Sequence, residues 1–261
     1  MTGIMPTNHT PSAEATPSRW PEYFAIADKS LAICHSYRPQ FHIDPDHLQK
    51  VYAVAIFAKL LRDAEAALLL LRHGMTSQAR SLLRVGIECE ITLAKCCEDQ
   101  EFYKTYMVAA EQERLRLLKG IRRIRSGEFD DVKEVISEEK VMNLAKTLRG
   151  TPEKKLDQWA SFVGLDSLYQ TGYRLCSEDV HTGARCLRQF LKCDESGFSS
   201  EANWSPDEFD VRAELTEVSR VALNGLGLIG SLFELSPDET FKQHQAEHTR
   251  LEELAANDDS N

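Results

Sequence analysis

Apolar residues along this chain return at three- and four-residue steps over long stretches and seldom alternate. Val51, Val54, Ala55, Ala58, Leu61, Ala64, Leu68 and Leu71 trace one helix face. Asp44-Pro45 gives a start signal and Gly74 a stop, so one long helix is predicted between them. Thr76 caps a second predicted helix reaching about Glu98, and the Asp99 region begins a third that runs to about Ser126. Asp130 or Asp131 starts a fourth, closing at Gly150. Thr151-Pro152 repeats the cap-plus-proline signal for a helix to Phe162 or Val163, and another is predicted from Asp166 to about His181. Ser205-Pro206 and Ser236-Pro237 announce the last two, and Pro21 to about Ser36 forms the first. Strand material is confined to Gln189 through Trp204, where a small hairpin or a loop fits.

This order predicts an all-α protein, a multi-helix bundle of long antiparallel helices. One domain is expected over 19–256. Before it lies a Pro-, Ser- and Thr-rich segment, 1–18, expected to be disordered, and after it an acidic tail, 257–261.

Composition narrows the function without naming it. The chain has 261 residues, with 31 Lys and Arg against 41 Asp and Glu, a formal charge of −10. Such a surface repels phosphates, which argues against general DNA binding or membrane coating but leaves room for a local basic groove. Cys34, Cys89, Cys96, Cys97, Cys176, Cys186 and Cys193 follow no paired spacing and are expected to be reduced thiols in a cytoplasmic protein. The greasiest stretch, 51–71, carries Lys59, Arg62, Asp63 and Glu65, so no membrane partner is expected.

Gly225, Gly227 and Gly230 match a dinucleotide-binding glycine pattern, but they sit inside a predicted helix with no preceding strand. Close helix packing is the expectation there. His244 and His248 share the i, i+4 spacing of metal-binding histidines, yet no third ligand follows and a solvated face is expected. Cys34, His35, His42, Asp44, Asp46 and His47 fit no metal spacing and read as a helix end with a polar loop. No metal and no cofactor is implied. Arg114, Arg116, Lys119, Arg122, Arg123 and Arg125 form a basic run with no acid among them. It either faces phosphates or balances acids elsewhere.

Two helices carry the more informative residues. On the helix from Thr76, the apolar arc holds Leu82, Leu83, Ile87, Cys89 and Leu93. Arg84 and Glu88 can pair at i, i+4, with Arg80 one turn earlier and Glu88 just outside the arc. Glu90 falls within the arc, where a charge must find a partner or shift its pKa. A polar cluster or paired charge between helices is therefore expected. On the helix from Asp166, Arg174 and His181 lie about 20° apart on an ideal wheel. Gln170, Ser177 and Glu178 share their face, and Leu165, Leu168, Tyr169, Gly172, Tyr173, Leu175, Cys176 and Val180 are assigned to the core. Asp179 is the exception, a charge inside that apolar arc. A guanidinium can clamp a phosphodiester while an imidazole moves protons near neutral pH, with no metal required. The plainer reading is a solvated helix face.

Two stretches resemble a bacterial all-helical family of unknown function. In the first, Gly74, Ala79, Arg84 and Glu88 follow a G…A…LLRxxxE arrangement; in the second, Tyr173, Ser177 and His181 follow YxxxSxxxH. The likeness spans roughly Leu60 to Leu191 and implies a fold but no reaction. A second resemblance is to the HEPN superfamily of helical bundles, many of them metal-independent ribonucleases of toxin–antitoxin and phage-defence systems. Arg174, six residues and His181 match that superfamily's Arg-to-His spacing, while Leu175 stands where a polar residue usually follows the Arg. The resemblance implies a homodimer with RNA as substrate. In that reading Arg174 holds the phosphate and His181 is the acid or base. Arg84, Glu88, Tyr173, Ser177 and Glu178 support them, and the basic run guides RNA. Two other readings stand beside it. One is a non-catalytic module that binds a protein partner or small ligand, with the Arg/Glu/His cluster as a structural network. The other is a phosphate-binding regulator without turnover.

Overall fold

The computed structural model describes residues 19–124, 127–151, 155–180, 187, 190–193, 199–203 and 210–258. The segment 1–18 and the last residues of the acidic tail lie outside these. The described residues are helical apart from one antiparallel pair of short strands, as the periodicity predicts.

Helix α1 spans Pro21–Ser36, with proline in its first turn, and α2 spans Leu48–Arg72. Asp44 does not cap α2. Its carboxylate instead accepts the Asp46 amide at 3.0 Å and faces His47, closing a turn that delays the helix to Leu48. Gly74, at φ +65°, ends α2 in the left-handed conformation, with the Met75 amide reaching back to the Leu70 carbonyl. Helix α3 follows at once, Thr76–Glu98, then α4, Phe102–Arg123. The fourth predicted helix is two: α5, Asp130–Val135, and α6, Glu138–Thr147. Ser137 breaks them apart, because its hydroxyl accepts the Lys140 amide and caps a new start. Helix α7 is Leu156–Phe162.

Asp166–Leu168 (α8) leads through a π-turn, Tyr169–Tyr173, into α9, Arg174–Val180. Strands β1, Leu191–Cys193, and β2, Ser199–Ala202, pair antiparallel within the stretch assigned strand material. Helix α10, Arg212–Leu232, and α11, Glu239–Asp258, complete the order. The Ser205-Pro206 start signal lies outside the described residues.

Helix α3 is the hub. It packs on α2, α10, α9 and α7, and is consequently buried on nearly every side. Leu83, Ile87, Ile91 and Leu93 meet Leu60 and Leu71 of α2 and Leu215 and Ile229 of α10 in one core. Gly225 lets α10 approach α2: a Cβ there would lie 3.1 Å from a Leu60 methyl and 3.3 Å from Phe57. Gly227 and Gly230 have open space, so one of the three glycines serves packing. Cys34, Cys89, Cys96, Cys97 and Cys176 are free thiols. Burial pushes Cys34, Cys96 and Cys97 up to about 12, which keeps them protonated and unreactive.

Both α11 histidines depart from the expected solvated face. His244 is fully buried, its Nε2 2.8 Å from the Ser30 hydroxyl, and His248 Nε2 meets the Thr216 carbonyl at 3.1 Å. Gln245, Ala246 and Glu247 between them are exposed while these two rings bind α11 to α1 and α10. Among the described residues no group of three or more ligand side chains could hold a metal. None of the described helices is long and apolar enough to cross a membrane.

Candidate functional site

The two sequence stretches that carry the resemblance meet in space. Arg84, in the middle of α3, donates Nε to the Ser177 hydroxyl at 2.8 Å and Nη2 to the Tyr173 phenol oxygen. Its guanidinium carbon lies 4.5 Å from the Tyr173 ring centroid. Ser177 passes the chain on by donating to the Tyr173 carbonyl at 2.7 Å, and Tyr169 stacks on Tyr173 with centroids 5.1 Å apart. Burial pushes the Tyr173 phenol up from its ordinary value, Arg84 opposes this, and Glu88 and Tyr169 add to it. The phenol therefore stays neutral and available as a hydrogen-bonding group. Glu88 thus acts on the same cluster electrostatically.

The π-turn decides which residues of α9 point where. An ideal wheel carries the Asp166 helix straight through 169–173. The π-turn instead inserts an extra residue, rotating everything after it by about 100°. Leu175 and Val180, assigned to the core, are 54% and 43% exposed. Ser177, assigned to the outer polar face with Arg174, turns inward to Arg84. Gly172 makes the approach feasible, because a Cβ there would sit 3.2 Å from Ile87 of α3. Arg174 itself is exposed, with its guanidinium donating to the Gln170 amide oxygen at 3.0 Å. His181 lies outside the described residues, as does the side chain of Glu178.

Glu90 finds the partner that its place in an apolar arc demanded. It is 1% exposed and takes both terminal nitrogens of Arg220 at 2.9 Å, with the Asn224 amide at 3.1 Å. Glu217 holds the other edge of Arg220 at 2.7 Å. One turn before Arg84, Arg80 pairs with the buried Glu214 at 2.6 Å. The α10 partners were not singled out from sequence, although Glu214, Glu217, Arg220 and Asn224 recur at helical steps along one face of α10.

The basic run is largely matched within its own neighbourhood. Arg114 and Arg116 pair with Glu111 and Glu113, the acids one turn earlier. Arg122 donates to the Ile136 carbonyl at 2.6 Å and lies 3.7 Å from Glu138. Lys119 and Arg123 are exposed, and Arg125 lies outside the described residues.

A family model described as a family of unknown function (DUF5677) matches residues 50–198, more than half of the chain. The chain belongs to DUF5677. The DUF5677 match runs from α2 past β1 and ends before β2, so it includes both Arg84 and the Tyr173–Ser177 segment that Arg84 clasps. No curated protein and no solved structure matches the chain.

Proposed function

We propose that this member of DUF5677 is a HEPN-like, metal-independent endoribonuclease of bacterial stress or anti-phage defence, working as a homodimer in the cytoplasm. The observation that carries the reading is Arg174. Its guanidinium stands in solvent and donates to the Gln170 amide oxygen, on a helix fixed to the hub through Arg84, Tyr173 and Ser177. A planar cation held this way suits a phosphodiester oxygen. His181, seven residues on, supplies the imidazole that takes a proton from the ribose 2′-hydroxyl or returns one to the leaving 5′-oxygen. Arg84, Glu88, Tyr173, Ser177 and Glu178 are positioning residues in this reading.

The test is cleavage of RNA by purified protein in EDTA, beside His181→Ala and Arg174→Ala. Loss of cleavage in both variants, with 2′,3′-cyclic phosphate ends from wild type and no cleavage of DNA, supports the reading. No cleavage by folded wild-type protein refutes it. A second reading, an interaction module in which the cluster is structural, is favoured by one observation: Arg84 is hydrogen-bonded on two sides within the subunit. Equal inactivity of wild type and variants, with a partner bound through α9, is its signature.

A further inference from the structure

A second candidate site lies on the opposite flank of α2, where the end of α1 and the segment 38–43 leave an open groove of about 1000 Å³. That size falls within the range of small-molecule sites. Its floor is apolar, formed by Phe41, Ile43, Val54, Phe57 and Leu61. Phe41 and Phe57 pack edge to face, with centroids 5.8 Å apart, so the floor is a packed surface.

The rim is charged, and its charges are unevenly matched. Lys59 is paired with Asp63 at 2.8 Å, and Glu65 accepts a hydrogen bond from His35 Nε2. A carboxylate can only accept and a guanidinium can only donate. Nε2 therefore donates to Glu65, and the other ring nitrogen, Nδ1, lies 3.5 Å from Arg38 Nη1. This leaves Arg38 and Arg62 with no carboxylate at ion-pair distance among the described residues. Arg72, Arg80, Arg212 and Arg220 each have one. His35 aside, the groove carries three cations, Arg38, Lys59 and Arg62, against two carboxylates, Asp63 and Glu65, in a chain of charge −10.

We propose that this groove binds a small amphipathic organic anion. The carboxylate or phosphate head lies at Arg38 and Arg62, and the apolar body rests on Phe41, Ile43 and Leu61. Two guanidiniums that lack a carboxylate partner among the described residues, over an apolar floor, recognise that combination, because neither an apolar molecule nor a bare anion satisfies both. The proposal is independent of the ribonuclease reading, since the groove lining shares no residue with that site.

Calorimetric titration of the full-length protein with octanoate, octyl phosphate, 1-octanol and octylammonium tests it. Octanoate and octyl phosphate should bind at least about tenfold more tightly than octanol or octylammonium. Arg38→Gln and Arg62→Gln should each weaken the anions by about tenfold while leaving octanol unchanged. Ile43→Ser, at a position 47% exposed and safe for the fold, should weaken all chains alike. Absence of anion binding, equal binding of octanol and octanoate, or wild-type affinity in both arginine variants would overturn the proposal.

Discussion

Replacing Arg220 by methionine should be among the most damaging single changes in this protein. The side chain it removes is the principal counter-charge of Glu90, which is 1% exposed and would retain the Asn224 amide at 3.1 Å. Breaking a buried ion pair from one side leaves an uncompensated charge, at about 3–5 kcal/mol. For a chain of this size that lowers the melting temperature by roughly 6–20 °C. Glu217 adds little to the loss, because its side chain is 22% exposed and can turn to water. Glu90→Met alone should be milder, since Arg220 keeps Glu217. Glu90→Met combined with Arg220→Met should recover most of the loss, as neither charge remains. The deficit is also pH-dependent in a defined direction. Burial already pushes the Glu90 carboxyl above its ordinary 4.5, and removing Arg220 takes away the charge that opposes this. With a raised folded pKa, the folded state holds the proton more tightly, so stability is present at low pH and lost as pH rises through the folded value. The Arg220→Met deficit should therefore shrink between pH 8 and pH 5, measured by thermal unfolding. Equal melting temperatures for the single and double variants, or a deficit that ignores pH, would refute the reasoning.

Gly225→Ala should destabilise by about 1–3 kcal/mol, because its methyl would meet the fully buried Leu60. Gly227→Ala, with open space around it, should stabilise by about 0.5–1 kcal/mol; denaturant titration of the pair checks the contrast. Burial holds His244 below its ordinary 6.5, with Lys29 adding to the shift. The depressed folded pKa contributes stability that is present above 6.5 and lost as pH falls through the folded value, so His244→Gln should flatten the acid side of the stability profile. An unchanged profile would show that the ring does not titrate on unfolding. Arg84→Met should speed amide exchange in 169–180 while leaving α2 and α10 protected, because Arg84 ties α9 to the hub; unchanged exchange there would deny Arg84 that role.

The helices were legible because their apolar steps are local, although neither Asp44 nor Thr76 caps the helix it was assigned. Pro21 to Ser36 and Thr76 to Glu98 are where periodicity puts them. The need of Glu90 for a partner was legible too, since a lone charge in an apolar arc has few outcomes. What failed was each inference that assumed an uninterrupted wheel or an unpacked face. The π-turn at Tyr169–Tyr173 turned Ser177 inward and Leu175 outward, and no single residue there announces it. The helix of His244 and His248 is polar at most positions, which hid that two rings one turn apart suffice to dock it on α1 and α10. The groove beside α2 was invisible because its lining comes from segments that meet through tertiary packing, with His35 and Glu65 thirty residues apart.

Helix α3 joins these observations. Apolar packing is nondirectional, so a helix held by leucines and isoleucines alone can slip along its neighbours at modest loss. The three polar links from α3 do not permit that: Arg80 to Glu214, Arg84 to Tyr173 and Ser177, and Glu90 to Arg220. A one-turn slip would bring Arg80 towards the position of Arg84, opposite a phenol and a hydroxyl, and leave Glu214 buried without its cation. Two of the links fix α10 and the third fixes α9. In that arrangement Arg84 is a registry device for the helix bearing Arg174. Arg84, Tyr173 and Ser177 therefore hold the geometry of that helix, and they leave Arg174 in solvent.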